Sequence, residues 1–391
     1  MGSQERTVCM SVRDALRAGV CRQLIEGKLT EAEAAGRLSL STRQVRRHRK
    51  RIREEGERGV IHRTRGRESP RRTPEATREK VIALYRETYS AWNMEHLMEH
   101  LESTHEIELS RETLRQILLD EESRPRRRRG QRHHQWRERR SREGELVQWD
   151  TSIHLWFGAE GEEAVLILGV DDATSKILWA EFFEHDRVLE NLAVLRSIVR
   201  KHGLFESVYA DGTSKFFLTD EDLLAARERG EEGLTQFGRV MKTLGIGMIH
   251  ALSAQAKGRV ERAFRTVQDR LIKELALYGI RTREEGNRYL RRTFIPHYNR
   301  RFGVVAANSS DAWVKVWPLD EANIFCLRDT RTVQNDLTIS VEGERWQLHG
   351  GVRSGERVEL RTRLDGSVHV YKNDQELGYH RIIRVAKVAS G

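Results

Sequence analysis

The sequence Leu146-Val147-Gln148-Trp149-Asp150-Thr151 marks the point at which this chain changes from a helical to a β pattern. It predicts a strand that carries Asp150, and AVLILGV at residues 164–170 predicts a second, buried strand that ends at a turn. Residues 176–183 predict a third strand, which completes a three-stranded meander. Asp150 needs an explanation, because the rest of its strand is largely apolar and burying an unpaired charge costs several kcal/mol.

Helices and strands alternate after this meander. Asp211 ends a fourth predicted strand, and Glu261 lies in the first turns of a long predicted helix. The predicted elements are a helix at 191–202, a strand at 207–211, a helix at 235–244, a strand at 247–251 and a helix from 257 onward, with an acidic insert at 220–232. The order β-β-β-α-β-α-β-α is typical of a ribonuclease H-like α/β core, in which the first and fourth strands are neighbours. We therefore expect Asp150 and Asp211 to meet, with the helix that bears Glu261 beside them.

The net charge of +10 in 391 residues is concentrated in two arginine-rich segments. Residues 41–72 carry a net charge of +9 and residues 122–142 a net charge of +8, so the rest of the chain is acidic. Arginine binds phosphate oxygens in pairs and releases counterions from nucleic acid. These segments predict a nucleic-acid partner, although a single charge run is as often a solvated linker.

The N-terminal third is predicted to be all-α. Thr30 caps a short helix, and a second helix runs from Thr42 to about Glu55. This layout is typical of a helix-turn-helix motif whose second helix enters the DNA major groove. Three short helices at 75–88, 93–102 and 110–120 predict a second helical domain. This domain is expected to contact DNA, with a spacer role as the alternative.

The C-terminal part is predicted to be all-β. Short segments with a period of two are separated by turns such as Asp365-Gly366 and predict a small antiparallel β-barrel. Its expected role is contact with DNA or another subunit, with a stabilising appendage as the alternative. The chain is therefore multidomain, with a helix-turn-helix domain at 1–66, a second helical domain at 67–122, an Arg-rich linker at 123–144, the ribonuclease H-like core at 145–302, a linker at 303–324 and the barrel at 325–391.

Other classes of protein are excluded by composition. Three cysteines are too few and too scattered for a disulfide framework or a Cys/His zinc site. No apolar run approaches the roughly 18–20 residues of a membrane-spanning helix, and the N-terminus lacks the pattern of a signal peptide. We expect no membrane partner and a cytoplasmic protein.

Six motifs are specific when they are taken together. They are Gln148-Trp149-Asp150, Val170-Asp171-Asp172-Ala173-Thr174-Ser175, Tyr209-Ala210-Asp211, Leu234-Thr235-Gln236-Phe237-Gly238, Ser253-Ala254-Gln255-Ala256-Lys257-Gly258-Arg259-Val260-Glu261-Arg262 and His297-Tyr298-Asn299-Arg300-Arg301-Phe302. The chain resembles the DDE transposase and retroviral integrase superfamily in these motifs, and is most similar to the ISNCY type of bacterial insertion-sequence transposase. The resemblance covers about residues 145–302. It implies that Asp150, Asp211 and Glu261 are the catalytic triad and the metal ligands.

Three carboxylates suit the chemistry that the resemblance implies. Mg²⁺ or Mn²⁺ prefers oxygen ligands, and two ions in one active site can activate the attacking oxygen of a phosphodiester reaction and stabilise the leaving one. The resemblance implies that water frees a 3′-hydroxyl at the element's end and that this hydroxyl attacks target DNA. It also implies a homo-oligomer, at least a dimer on double-stranded DNA. Asp171 and Asp172 compete for a ligand role, but their place between two strands favours a hairpin turn.

Basic side chains are the candidates for DNA contact. Lys257 is expected to contact phosphate near the scissile bond, and Arg265 continues its helix face. The full set of expected DNA contacts is Arg43, Arg46, Arg47, Arg49, Lys50, Arg126, Arg127, Arg128, Arg129, Lys257, Arg259 and Arg265.

The sequence therefore predicts a DDE transposase, an enzyme that binds insertion-sequence ends and performs metal-dependent hydrolysis and strand transfer. The alternative is a non-catalytic or domesticated transposase-derived regulator that binds DNA and retains the triad by descent. A retroviral-type integrase is disfavoured, because no His/His/Cys/Cys zinc module precedes the core.

Overall fold

The computed structural model describes residues 10–62, 72–120, 138–230, 232–250, 258–316 and 318–382. The chain divides into two compact units, Met1–Val81 and Ile82–Gly391. The finer division into six segments expected above stays a prediction.

Three helices make up most of the first unit. They are α1 (Val12–Ile25), α2 (Glu31–Leu38) and α3 (Thr42–Glu55), followed by a 3₁₀ turn at Gly56–Val60. Thr30 and Ser41 each close a capping box at the start of α2 and α3, and Ser39 adopts a left-handed conformation (φ 51°) that ends α2. Leu24, Ala34 and Val45 form the small core. The predicted helix-turn-helix pair is confirmed as α2 and α3, whereas α1 was not predicted.

Three more helices follow, as predicted. They are α4 (Glu75–Leu84), which continues through a π-helical turn at Tyr85–Tyr89, α5 (Met94–His105) and α6 (Arg111–Asp120). Asn93 caps α5 by accepting a hydrogen bond from the backbone N–H of His96 at 2.9 Å. Leu97, Leu101 and Leu114 are fully buried.

A five-stranded mixed sheet lies at the centre of the second unit. Its strands are β1 (Val147–His154), β2 (Ala164–Asp171), β3 (Ile177–Phe183), β4 (Ser207–Ala210) and β5 (Gly247–His250). The spatial order is β3-β2-β1-β4-β5. β2 pairs antiparallel with β1 and β3, whereas β4 pairs parallel with β1 and β5. The predicted adjacency of the first and fourth strands is thus confirmed.

Helices cover both faces of this sheet, and β2 is buried along its whole length for that reason. One face packs Trp149, Leu195 and Phe237 into a core with α7 and α9, and the other packs Leu166 and Phe264 into a core with α10 and α12. The helices of this unit are α7 (Val188–His202), α8 (Asp220–Glu228), α9 (Gln236–Leu244), α10 (Gly258–Leu277), α11 (Arg283–Tyr289), α12 (Ile295–Phe302) and α13 (Glu321–Ile324), with a π-helical turn at Leu290–Phe294. The acidic insert therefore contains a helix, α8, that was not predicted.

Seven strands form the C-terminal part. They are β6 (Cys326–Thr332), β7 (Thr338–Val341), β8 (Glu344–Leu348), β9 (Arg357–Arg363), β10 (Val368–Lys372), β11 (Gln375–Leu377) and β12 (Tyr379–Ile382). They make a four-stranded sheet, β11-β10-β9-β6, and a three-stranded sheet, β12-β8-β7. The closed barrel that was predicted is not confirmed. The physical reason lies at Gly378, where the chain leaves one sheet through β11 and enters the other through β12, so that two open sheets share one core.

The C-terminal sheets are joined to the central core. The side-chain oxygen of Gln236 on α9 accepts a hydrogen bond at 2.9 Å from the backbone N–H of Arg328, and its Nε2 donates at 2.6 Å to the carbonyl of the same residue. Phe325 is buried in the cluster that contains Trp149 and Phe237. Among the described residues, no helix combines the length and the apolar content that a membrane crossing requires.

Candidate active site

Asp150 and Asp211 lie at matching positions of two adjacent parallel strands. In the pairing of β1 with β4, Gln148 is opposite Tyr209. Asp150 follows Gln148 by two residues, and Asp211 follows Tyr209 by two residues at the carboxyl end of β4. The extrapolated register places the two aspartates side by side.

Both aspartates belong to the sheet face that α10 covers. Trp149 on β1 and Val208 and Ala210 on β4 are buried in the core on the α7 side. Because successive side chains of a strand point to opposite faces, Asp150 and Asp211 face the other side. Both side chains are half-buried, so the pair lies at the edge of the core rather than within it.

Glu261 is brought to this face by the first turn of α10. The backbone N–H of Val260 donates a hydrogen bond to the side-chain oxygen of Gln148 at 3.0 Å. Gln148 is fully buried and lies on the same strand face as Asp150, two residues before it. Glu261, the next residue after Val260, is exposed. The structure therefore brings the backbone of all three predicted triad residues to one region.

The carboxylate oxygens of the triad are not drawn together into a compact group. Within the described part of the chain, a single set of three His, Cys, Asp or Glu side chains has donor atoms that all lie within 4.8 Å of one another, and it is His96, His100 and Glu274. The role of Asp150, Asp211 and Glu261 as metal ligands stays a prediction.

A buried carboxylate, Asp172, fixes the start of α10. Asp172 is fully buried, and its Oδ1 accepts hydrogen bonds from Gln148 Nε2 at 2.6 Å and from the guanidinium of Arg259 at 2.9 Å. Its Oδ2 accepts a hydrogen bond from the backbone N–H of Arg140 at 2.8 Å. Asp172 therefore joins β1, α10 and the segment that precedes β1.

Asp171 closes the hairpin turn after β2. Its carboxylate accepts hydrogen bonds from the backbone N–H of Gly144 at 2.9 Å and from the backbone N–H and hydroxyl of Thr174 at 2.7 and 2.6 Å. Burial raises the pKa of Asp171, and these hydrogen bonds oppose that rise. The predicted turn at Asp171 and Asp172 is confirmed.

Short contacts surround Asp211. Its Oδ1 accepts a hydrogen bond from the hydroxyl of Thr213 at 2.9 Å. A Cβ atom added to Gly212 would lie 2.3 Å from Nε2 of His250, so the imidazole packs directly against the backbone after Asp211. The ring of His250 stacks on Phe217 with centroids 4.8 Å apart. Glycine is therefore required next to Asp211 unless His250 moves.

The opposite face of β1 is fixed by a chain of hydrogen bonds. The indole Nε1 of Trp149 donates to Asn191 Oδ1 at 2.8 Å, and Asn191 Nδ2 donates to Asp186 Oδ1 at 2.8 Å. Lys215 forms an ion pair with Asp186. Because both Trp149 and Asn191 are fully buried, these bonds fix the strand on which Asp150 lies.

The predicted DNA contacts of the N-terminal unit lie on α3. Arg43, Arg46, Arg47 and Lys50 are exposed, and Arg49 is partly buried. Glu31 on α2 forms ion pairs with Arg46 at 2.6 Å and with Arg49 at 3.0 Å. Lys50 pairs with Glu54 at 3.8 Å, so three of the five candidates are tied to a carboxylate in the structure.

The other predicted DNA contacts are distributed differently. Arg265 is exposed on α10, whereas the guanidinium of Arg259 binds buried Asp172. Their contact with DNA stays a prediction. Arg126, Arg127, Arg128, Arg129 and Lys257 lie outside the described residues.

Gln148 and the carboxylate of Asp172 are the structural residues that sequence reasoning missed. The one local signal for Gln148 was a polar residue in an apolar strand, two positions before Asp150. Asp172 was correctly placed in a turn, but its partners Gln148 and Arg259 are distant in sequence.

Comparison with known proteins gives three kinds of similarity. A family model described as a Homeodomain-like domain matches residues 44–118. The chain is 36% identical over 378 residues to the transposase y4bF of Sinorhizobium fredii, with 95% of this chain and 81% of that protein covered. It is 30% identical over 319 residues to the transposase for insertion sequence IS1202 of Streptococcus pneumoniae, with 73% of this chain and 67% of that protein covered.

Two solved structures are similar at lower identity. A chain of the simian T-cell lymphotropic virus intasome in complex with PP2A regulatory subunit B56 gamma is 12% identical, with 76% of this chain and 97% of that chain covered and a TM-score of 0.34. The HTLV-2 integrase catalytic core domain in complex with magnesium is 14% identical, with 39% of this chain and 91% of that chain covered and a TM-score of 0.27.

Proposed function

Because this chain belongs to a family of transposases, we propose that it is a DDE transposase, which binds the ends of an insertion sequence and catalyses their metal-dependent cleavage and strand transfer into target DNA. Water attacks the phosphodiester at the element's end and frees a 3′-hydroxyl. That hydroxyl then attacks a phosphodiester of the target strand, which joins the element to the target and releases a 3′-hydroxyl of the target strand. No covalent bond between protein and DNA is needed.

The paired positions of Asp150 and Asp211 carry this proposal. The two carboxylates follow the Gln148–Tyr209 pair on neighbouring parallel strands, and α10 begins beside them with Glu261 in its first turn. Ordinary structural carboxylates of this core, such as Asp171 and Asp172, are fully buried and have several hydrogen-bond donors. Asp150, Asp211 and Glu261 instead remain partly or fully accessible to a ligand from solvent.

The donor set of the triad fits Mg²⁺ or Mn²⁺. All three side chains offer carboxylate oxygens, the hard ligands that these ions prefer, and none offers imidazole or thiolate. Two such ions would supply activation of the attacking oxygen and stabilisation of the leaving oxygen.

The remaining residues of the site position the triad or the DNA. Gln148 and Asp172 hold α10 so that Glu261 stays on the Asp150 side of the sheet. Lys257 and Arg265 are proposed to bind phosphate near the scissile bond. Arg43, Arg46, Arg47, Arg49 and Lys50 on α3, together with Arg126 to Arg129, are proposed to bind the element's ends. A dimer, at least, is proposed on DNA because each of two ends needs a triad.

Cleavage of a labelled element end by the purified protein with Mn²⁺ tests the proposal. Asp150→Asn, Asp211→Asn and Glu261→Gln should each abolish cleavage and leave the DNA mobility shift nearly intact. Asp220→Asn, a matched change at the exposed start of α8, should cleave normally. A non-catalytic regulator would instead give shifted, uncut DNA with the unchanged protein, and cleavage retained in one triad variant would remove that residue from the site.

A further inference from the structure

A second cluster of potential metal ligands lies where α5 packs against α10. The helices are joined by the guanidinium of Arg270, which forms an ion pair with Glu99 at 2.5 Å, and by the side chains of Asn93 and Asp269. Beside these contacts, His96 and His100 on α5 and Glu274 on α10 have donor atoms that all lie within 4.8 Å of one another. This cluster lies apart from the triad in sequence and shares no residue with it.

Two of the three side chains are buried, and His100 is partly buried. His96 is 0% exposed and Glu274 is 4% exposed. His96 Nε2 lies 2.7 Å from Glu274 Oε1, and the hydroxyl of Tyr289 donates a hydrogen bond to Glu274 Oε2 at 2.5 Å. One oxygen of Glu274 is thus oriented by Tyr289, while the other faces the histidine.

Each histidine keeps a buried ring nitrogen without a hydrogen-bond partner. Nδ1 of His96 and Nδ1 of His100 are both buried, and neither has a partner among the described residues. Unsatisfied buried polar atoms are uncommon, because each costs free energy that a partner would recover. Two unpartnered ring nitrogens beside a buried carboxylate indicate that this cluster binds a ligand through nitrogen.

The spacing of the two histidines suits one ion. Residues at positions i and i+4 share a helix face, so His96 and His100 can bind the same metal. Two imidazoles and one carboxylate form a known ligand set for Zn²⁺, with the fourth position left to water. Imidazole ligands favour Zn²⁺ over Mg²⁺ and Mn²⁺.

We propose that His96, His100 and Glu274 form a Zn²⁺ site that ties α5 to α10. This site goes beyond the proposed transposase function and does not depend on it. The ion would take one ring nitrogen from each histidine and one carboxylate oxygen of Glu274. Each histidine binds as neutral imidazole and keeps its single ring hydrogen on the nitrogen that does not bind the ion, so binding releases no proton.

The surroundings favour a structural role over hydrolysis. In the sequence His96-Leu97-Met98-Glu99-His100, Glu99 occupies the position of a general base in some zinc hydrolases. Here Glu99 is bound by Arg270 at 2.5 and 3.1 Å and by Arg301 at 3.1 Å, and these cations stabilise its charged form. A carboxylate held in this way is a poor base, so the ion would fix the helices instead.

Zinc titration of the untagged, full-length protein after chelation tests this proposal. We expect one equivalent of Zn²⁺ to bind tightly in competition with a chromophoric chelator and to raise the midpoint of thermal unfolding. Co²⁺ should bind in its place and give the visible absorption of a four-coordinate centre. Asp150→Asn should bind the same equivalent, which separates this site from the triad.

Variants decide whether the cluster is the site. His100→Gln and Glu274→Gln should each weaken Zn²⁺ binding at least tenfold and abolish the cobalt spectrum, with circular dichroism that shows a folded protein. His105→Gln, on the same helix but outside the cluster, should bind as the parent does. Absence of a tight equivalent in the parent protein, or an unchanged cobalt spectrum in His100→Gln and Glu274→Gln, would overturn the proposal.

Discussion

The side-chain oxygen of Gln148 accepts a hydrogen bond at 3.0 Å from the backbone N–H of Val260, so the first turn of α10 is fixed to the strand that carries Asp150. The same side chain donates to Asp172 at 2.6 Å. One buried glutamine therefore links two of the three elements that surround the candidate site.

Replacement of Gln148 by Leu should destabilise the protein and reduce cleavage. The change removes the hydrogen-bond acceptor of the Val260 N–H and one of the donors to Asp172. Each buried group that loses such a partner lowers the free energy of unfolding by about 1–3 kcal/mol. Urea unfolding measures the loss. The matched control is Gln268→Leu, because Gln268 also joins α10 to β1, through Ser152 at 2.9 Å, but is only half-buried. Equal losses in the two variants would contradict the role assigned to Gln148.

Removal of the Arg259 guanidinium should be costly for a different reason. Arg259→Met removes the guanidinium that pairs with the fully buried Asp172, and loss of one member of a buried pair costs about 3 kcal/mol or more. Adding Asp172→Asn removes the buried negative charge, so the double variant should lose less than the sum of the single variants. The free energies of unfolding of the four proteins give the coupling.

A surface pair provides the comparison for Arg259. Arg288 and Glu284 on α11 lie 2.9 Å apart and are both exposed. Arg288→Met should therefore cost at most about 1 kcal/mol. If Arg259→Met cost no more than Arg288→Met, Asp172 would not depend on the ion pair, and a direct DNA contact of Arg259 would become the better interpretation.

The local pattern of the chain was sufficient to predict the central sheet. AVLILGV at residues 164–170 is a continuous apolar run, which is typical of a strand whose two faces are both covered. β2 is indeed buried along its length. The capping residues Thr30 and Ser41 likewise lie at helix starts. In each case the deciding interaction is local, within a few residues of the signal.

Contacts between distant segments could not be predicted in this way. His96 meets Glu274 across the interface of α5 and α10, and no spacing in the sequence relates them. The predicted small β-barrel was not confirmed for a similar reason, because the change of sheet at Gly378 depends on tertiary pairing of β12 with β8. The period of two predicts strands but does not determine which strands pair.

His202 should make stability fall as the pH is lowered. Its ring stacks on Trp313 with centroids 5.2 Å apart, and burial lowers its pKa below the ordinary 6.5. The unfolded chain then takes up the proton at a higher pH than the folded chain does. The contribution of neutral His202 to the free energy of unfolding is complete above about pH 6.5. It is lost as the pH falls toward the lower pKa of the folded state, and the free energy of unfolding changes by at most about 1.4 kcal/mol per pH unit.

The difference between two histidine variants isolates this effect. His202→Gln removes the titrating group, and its free energy of unfolding by urea should change less between pH 7 and pH 5 than that of the parent. His185→Gln is the control, because His185 is exposed and lies 3.5 Å from Glu184. The same pH slope in His202→Gln and the parent would show that the His202 proton is not linked to folding.

Glu31 should limit DNA binding by the N-terminal unit. Its carboxylate holds Arg46 at 2.6 Å and Arg49 at 3.0 Å on α3, the helix predicted to enter the major groove. If these arginines bind phosphate, Glu31 competes with DNA for them, and Glu31→Gln should raise affinity several-fold at low salt. Arg46→Ala and Arg49→Ala should lower affinity and reduce the slope of log K against log salt by about 0.9 for each phosphate that is no longer neutralised.

Fluorescence anisotropy with a labelled duplex at several salt concentrations measures both the affinity and the salt slope. Glu163→Gln makes the same charge change at an exposed position of the core and should leave the binding nearly unchanged. Equal gains in Glu31→Gln and Glu163→Gln would show that net charge alone is responsible, and α3 would lose its assignment as the DNA-binding helix.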